Sequence, residues 1–324
     1  MIKVGLIGIG GMGFVHYKAY KRIEGAEVVA VADVRTDMAK EKIADDKVNV
    51  YSTIDELLAN EKVDVIDICT PSYLHTDIAV KALEAGCHTL SEKPMSISTA
   101  DTARVIETAK RAGKKFMTAH VVRFMAPYVY LRGIIESGEL GKIVHLNMKR
   151  LSSIPAWSWE DWMRDVKKSG GSPIDLSIHD IDFAYSIFGE PKSVNGMYNE
   201  LKDNNDYIVS NLAYDGFSVT TIGAWFKAKI PFSAEFLAIF ENGQLALKDG
   251  KLYKNNEEID LALSANDVSE NMGINLPKAD GYTSEIEYFL ECVKNDVAPE
   301  RVTPESSEGS VRLVERILEN CIRI

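Results

Sequence analysis

With 324 residues the chain is long for one hydrophobic core and comfortable for two domains. Hydrophobic residues at 46% and charged residues at 26% are ordinary for a globular protein, which excludes disorder as the default. A formal net charge of −11 argues against nucleic acid and anionic membrane surfaces as partners, but not against a small anion held by local backbone dipoles.

The opening residues MIKVGLIGIG are apolar for too short a stretch to be a signal peptide, and no run of about 18 apolar residues follows, so no membrane span is expected. Cys69, Cys87, Cys292 and Cys321 form no C-x-x-C pair. Cys69, in an apolar run, and Cys321, in an amphipathic one, read as packed thiols, and the usage suits a reducing cytoplasm and gives no zinc signature.

Residues 1–120 alternate short strands with helices. Strands are predicted over Lys3–Ile9, Glu27–Ala32, Val63–Cys69, His88–Ser91 and Lys115–Ala119. Helices are predicted over Met12–Ile23, Thr36–Ala44, Tyr73–Ala85 and Ala100–Ala112. Strand–helix alternation implies right-handed crossovers and a parallel sheet covered on both faces. With the G-x-G-x-x-G of Gly8, Gly10 and Gly13 after its first strand, this is expected to be an α/β dinucleotide-binding, Rossmann-type domain.

Residues 121–324 read differently, as an α+β substrate-binding and oligomerisation domain with a largely antiparallel sheet. The runs YIVSNLAY, FSVTTIGAWF and EFLAIFE are β-branched and aromatic. Asn195-Gly196, Asp215-Gly216, Asn242-Gly243 and Asp249-Gly250 tolerate the positive φ of tight hairpin turns and are taken as such. Two helices close the chain, Thr283–Lys294 and Pro304 onward to about Cys321. A sheet covered on one face leaves the other for a second subunit, so a homodimer or homotetramer is expected.

Gly8, Gly10 and Gly13 make G-x-G-x-x-G directly after the first strand. The first glycine permits the turn, the second lets backbone approach a pyrophosphate, and the third lets the helix pack against the sheet. Gly11 and Met12 complete a helix N-terminus that offers N–H groups to phosphate. Asp33 ends the second strand, twenty residues after Gly13, where an acid accepts the adenosine ribose hydroxyls and repels a 2′-phosphate. This favours NAD. Arg35 opposes it, since an arginine there suits adenine stacking or the 2′-phosphate of NADP.

Asp175 and His179 stand four apart on a predicted helix, hence on one face. A carboxylate orients an imidazole and raises its basicity, and histidine titrates near neutrality, as a base for alcohol oxidation should. Read alone, the pair equally suits a surface contact. Gly170 and Gly171 precede it and would allow backbone to approach a ligand. Lys93 follows the fourth strand at the carboxyl edge of the sheet, and read alone it is a solvated lysine.

The stretch VDVIDICTPSYLHTDIAVKALEAGCHTLSEKP carries Thr70, Pro71 and His75, then Glu92, Lys93 and Pro94. KKSGGSPIDLSIHDIDFAYSIFGEP adds Gly170, Gly171, Asp175 and His179. Both resemble signatures of the glucose-fructose oxidoreductase / inositol dehydrogenase / rhizopine-catabolism family, and the resemblance extends over nearly the whole chain. It implies hydride transfer between NAD(H) and a secondary alcohol of a sugar, nucleotide sugar or cyclitol. It further implies a catalytic set of Lys93, Asp175 and His179, also touching substrate, with Thr70, Pro71, His75, Glu92 and Lys93 at the nicotinamide end. Arg123 and Trp162 are softer substrate candidates, and an arginine on a helix surface or tryptophans that simply pack are equally good readings. The competing functions are a non-catalytic NAD-binding regulator and an NAD-dependent glycoside hydrolase of related fold.

Overall fold

The computed structural model describes residues 1–261 and 281–324, and these divide into two compact units. The first comprises Met1–Val121 together with Gly281–Glu308. The second comprises residues 122–261 and Gly309–Ile324. The expectation that everything after residue 120 forms the second domain is therefore corrected for Gly281–Glu308.

In the first unit β1 (Ile2–Ile7), β2 (Ala26–Ala32), β3 (Asn49–Tyr51), β4 (Val65–Ile68), β5 (His88–Glu92) and β6 (Phe116–Ala119) form a parallel sheet. The order is β3-β2-β1-β4-β5-β6, so the winding reverses between β1 and β4. Ligands of such sheets bind beyond the carboxyl ends of the strands at that reversal. Helices α1 (Gly11–Tyr20), α2 (Thr36–Ile43), α3 (Ile54–Asn60), α4 (His75–Glu84) and α5 (Thr99–Ala112) make the crossovers. Thr53 and Ser98 cap α3 and α5 by accepting the amides of Glu56 and Asp101. Such caps contribute about 1 kcal/mol each. Ile66, Ile68, Ala79, Leu83 and Val105 pack in a common core. The short pair β3 and α3 has no counterpart in the sequence reading, because a three-residue edge strand leaves no periodicity to read.

The second unit opens with α6 (Ala126–Ser137), β7 (Ile143–Ser153) and the short α7 (Val166–Ser169). A π-helical turn over Pro173–Ser177 then runs directly into α8 (Ile178–Phe188). Next come β8 (Ser193–Lys202), β9 (Asn205–Ala213), β10 (Ser218–Phe226), β11 (Ser233–Phe240), β12 (Gly243–Lys248), β13 (Lys251–Lys254) and β14 (Glu257–Ile259). Helices α9 (Gly281–Lys294) and α10 (Pro304–Glu319) and the strand β15 (Cys321–Arg323) end the chain.

The second sheet is not a plain meander. Its order is β14-β13-β12-β11-β7-β10-β9-β8-β15. Two antiparallel ribbons flank β7, which runs parallel to β10, and β15 adds parallel to β8. Asp215-Gly216, Asn242-Gly243 and Asp249-Gly250 fall at or beside turns, but Asn195-Gly196 lies inside β8. There the glycine admits the Val209 carbonyl, which a Cβ would meet at 2.2 Å. Two further hairpins turn on Asp203-Asn204 and Asn255-Asn256, all with positive φ. Asn and Asp reach that region without glycine because their short side chains bond the local backbone.

Candidate active site

The glycine turn divides its labour as the spacing demands. Gly8 has φ +85°, and a Cβ there would lie 2.7 Å from the Cys69 carbonyl oxygen. A Cβ on Gly13 would lie 1.9 Å from the Gly8 carbonyl oxygen, so α1 seats directly on the turn. A Cβ on Gly10, by contrast, meets nothing within 4 Å. Gly10 is the N-cap of α1, no side chain caps the helix, and its first turn holds no acid. The amides around Gly11 and Met12 thus face an open approach under a positive helix end, a fit for pyrophosphate.

Asp33 is buried, and its carboxylate supports the turn. Oδ2 accepts the Ile9 amide at 3.0 Å, and Oδ1 accepts the Arg35 amide at 2.9 Å and Arg35 Nε at 3.3 Å. Lys42 Nζ donates to the carbonyls of Ile9 and Gly10 at 3.2 and 3.3 Å. Partial burial, and then the charge of Arg35, pull the Lys42 ammonium below its ordinary range. Lys42 escaped the sequence reading because nothing in its helix marks it; only the fold brings it to the turn.

At the other edge of the reversal, His75 is buried with Nδ1 2.8 Å from the Pro94 carbonyl and Nε2 2.9 Å from the Thr70 carbonyl. Burial depresses its pKa against the pull of these carbonyls. The ring therefore ties the Thr70-Pro71 loop to the Lys93-Pro94 turn, whose peptide is cis. His75 is thus a clamp between these two loops. Glu92 is buried, and its Oε2 accepts the Lys93 amide at 2.9 Å, while Lys93 itself is half-buried.

In the second unit Asp175 sits buried in the π-helical turn and His179, half-buried, lies in the first turn of α8. The glycine pair before them packs tightly on the protein itself. A Cβ on Gly170 would strike the Ile174 side chain, and one on Gly171 would come within 2.8 Å of Asp206 Oδ2 and Tyr198 Oη. The close approach is to the protein's own groups.

The sequence pattern of the oxidoreductase family described as having an NAD-binding Rossmann fold matches residues 2–120, and the family's C-terminal domain pattern matches residues 128–246. The chain belongs to the GFO/IDH/MocA oxidoreductase family. Myo-inositol 2-dehydrogenase of Thermotoga maritima is 33% identical over 192 residues, 58% of this chain and 55% of that protein. The chain thus matches about half the length of such curated relatives. A solved oxidoreductase of Agrobacterium radiobacter, in complex with NAD+, L-tartaric acid and magnesium, has a similar fold. Its TM-score is 0.83 at 17% identity, covering 98% of this chain and 96% of that one. Scyllo-inositol dehydrogenase of Lactobacillus casei, with NAD(H) and scyllo-inositol, reaches 0.79 at 21% identity, covering 99% and 97%.

As a GFO/IDH/MocA oxidoreductase the chain uses NAD, and its glycine turn and Asp33 are the groups that fit the dinucleotide. The family's C-terminal domain here rests on two buried ion pairs that the sequence did not announce. Arg123 Nε and Nη2 donate to Asp182 Oδ2 and Oδ1 at 2.8 and 2.6 Å, and Ser310 Oγ donates to Oδ1 at 2.7 Å. Arg150 Nη2 donates to Asp180 Oδ1 at 2.8 Å and to the Tyr128 hydroxyl at 3.2 Å. Arg123, expected to touch substrate or lie on a helix surface, is instead 3% exposed and anchors α8. Trp162 is half-buried against Met163, Leu176 and Trp225, and Trp157 is exposed. Among the described residues, one trio of metal-competent donors lies within 4.8 Å of one another, His16, Asp67 and Cys69. Its imidazole is engaged by two carboxylates and forms part of an ion-pair cluster. No helix of the described residues is long and apolar enough to cross a membrane.

Proposed function

We propose that the protein oxidises a secondary alcohol of a cyclitol or sugar. NAD+, held at the Gly8–Gly13 turn, supplies the hydride acceptor. His179 takes the hydroxyl proton as the carbon loses its hydride, giving a ketone, NADH and a protonated imidazole. Asp175 orients His179 and stabilises the imidazolium, and Lys93 hydrogen-bonds the reacting oxygen and steadies its developing negative charge. A physiological reaction in the reverse direction uses the same groups.

The observation that carries this reading is the retention of Asp175 and His179 on one continuous helical stretch, together with Lys93 on a turn braced by Glu92 and His75. A chain needing only to bind NAD has no use for them. The four cysteines are free, which supports a reducing cytoplasm. The outer sheet face, with Leu237 and Met197 exposed, supports a homodimer or homotetramer, which light scattering at micromolar concentration tests.

The function is tested by nicotinamide absorbance over a panel of inositols, hexoses and nucleotide sugars with NAD+ and NADP+. Reduction of NAD+ by at least one polyol is expected. His179→Ala should cut turnover by roughly 10²–10⁴, the range for losing a general base, with NADH affinity preserved. Tight NADH binding without turnover on any polyol would replace the reading with a non-catalytic NAD-binding role. Release of aglycone from an aryl glycoside would replace it with hydrolysis.

A further inference from the structure

Behind the Glu92-Lys93 turn the first unit buries a cluster of ionisable groups that neither NAD binding nor the proposed proton transfer uses. His16, on α1, is fully buried. Its Nδ1 lies 2.9 Å from Asp67 Oδ2 on β4, and its Nε2 lies 3.3 Å from Glu92 Oε1 on β5. Cys69 Sγ lies 3.7 Å from the other Asp67 oxygen. Glu285, on α9, is fully buried, and neither carboxylate oxygen has a hydrogen-bond partner among the described residues. Its neighbours by charge are Glu92, His16 and Asp67. The Tyr282 ring, also on α9, stands 6.3 Å from the His16 ring, and the buried Tyr20 completes the set from α1.

One ring nitrogen of His16 is hydrogen-bonded to Asp67, and the other stands at ion-pair distance from Glu92 without hydrogen-bond geometry, an arrangement that suits an imidazolium between two carboxylates. Burial opposes that charge, but the contacts led by Asp67 outweigh it, and His16 is held well above the usual histidine range. Glu92 shows the converse. Burial pushes it up, while His16, and then Lys93, pull it down to a net lowered value. Glu285 goes the other way, raised well above the carboxylate range by burial and then by Glu92, so it stays a neutral acid. The cluster then balances one imidazolium against two carboxylates, with the Lys93 ammonium nearby.

We infer that His16 is a positioning residue for Lys93: as an imidazolium bridging Asp67 and Glu92, it fixes the Glu92 carboxylate where that group accepts the Lys93 main-chain N–H. The chain of contacts is continuous, from Asp67 through His16 to Glu92 and the Lys93 amide. It meets the turn from one side while His75 holds Pro94 from the other. Without the imidazolium, Asp67 and Glu92 stand as uncompensated buried carboxylates, and Glu92 loses the partner that sets its rotamer. The catalytic part of the inference rests on the reading of Lys93 above; the structural part does not.

The test is amide hydrogen exchange by mass spectrometry on the full-length protein, wild type against His16→Gln, with Glu92→Gln as a second variant that keeps an acceptor oxygen but not the ion pair. Exchange of the peptide covering Glu92–Met95 should rise at least tenfold in His16→Gln while the β2 and α5 peptides stay as in wild type. With whichever polyol the wild type turns over, kcat should fall about tenfold or more, with NADH affinity changed less than threefold. The double variant His16→Gln/Asp67→Asn, which removes the stranded charge beside Glu92, should recover part of both losses. Unchanged exchange at Glu92–Met95 in both single variants overturns the inference. So does a rise spread equally over the whole unit, which marks loss of stability alone. If the wild type turns over no polyol, the proposed function fails while the exchange measurement still decides whether His16 holds the turn.

Discussion

In the first unit the cofactor turn is built from backbone: three glycines, a helix end, and one carboxylate that holds an amide in place. In the second unit the helix carrying His179 is held by buried side-chain charges, Arg123 to Asp182 and Arg150 to Asp180. The first device packs backbone on backbone at Gly8 and Gly13, where an added Cβ would clash, and leaves open space at Gly10. The second joins residues 59 and 30 positions apart and depends on paired charges. The two should therefore break in different ways.

The largest effect is expected in the second unit. Arg150→Leu leaves Asp180, already pushed up by burial and pulled back by Arg150, as an uncompensated acid with no exposure. The cost should be about 3–5 kcal/mol, measured by denaturant unfolding. The double variant Arg150→Met/Asp180→Leu should recover most of it, because an apolar pair of similar volume replaces a desolvated ion pair at little net cost. A double variant no more stable than the single one would show that the arginine acts through packing instead.

Next comes a pH effect, also in the second unit. Burial raises Asp206 to about 6, against Ser172 and Tyr198, which pull it down. The folded state thus holds a proton that the unfolded chain releases near 4. The extra stability is complete below about pH 4 and is lost as pH climbs toward 6. Across that window wild-type stability should decline by about 2–3 kcal/mol from this group. Asp206→Asn should flatten the decline. A wild-type curve flat over this interval would refute the account.

This contrast also explains what the sequence disclosed. The parallel sheet, the glycine turn and Asp33 are legible because their spacing is regular and strands such as β2 hold continuous apolar runs, Val28–Ala32. The hairpins were partly legible from Asp-Gly, but Asp203-Asn204 and Asn255-Asn256 turn the chain without glycine. The parallel placement of β7 beside β10 was hidden, since pairing between distant strands leaves no local mark. So was the fate of Arg123. An arginine beside a family motif reads as a ligand contact, and only burial against Asp182 shows it serving the fold. His16 belongs to no motif, because its partners, Asp67 and Glu92, lie far along the chain.

In the first unit, Gly13→Ala and Gly10→Ala should separate two kinds of glycine. The first puts a methyl into the Gly8 carbonyl and should cost about 1–3 kcal/mol of stability as well as NADH affinity. The second meets open space, so the unfolding midpoint should hold while NADH affinity falls, since the methyl blocks the pyrophosphate's approach. NADH fluorescence titration beside thermal unfolding reads both. Equal loss of stability in the two variants would erase the distinction.

The smallest expected effect concerns Asp33, which serves both backbone and ligand. Its two oxygens hold the Ile9 and Arg35 amides, so a plain truncation would confuse loss of the turn with loss of cofactor choice. Asp33→Asn keeps one acceptor oxygen and removes the charge that would repel a 2′-phosphate. It also weakens the hold on Arg35 Nε and lets that guanidinium reach a phosphate. The ratio of kcat/KM for NADP+ over NAD+ should rise about tenfold, equivalent to about 1.4 kcal/mol, mainly through KM for NADP+. Adding Arg35→Leu should return the ratio toward the wild-type value, since the gain needs a cation in that position. A wild type that already prefers NADP+ tenfold would mean that Arg35 meets the phosphate despite its bond to Asp33, and the acid would then be left with the backbone role alone.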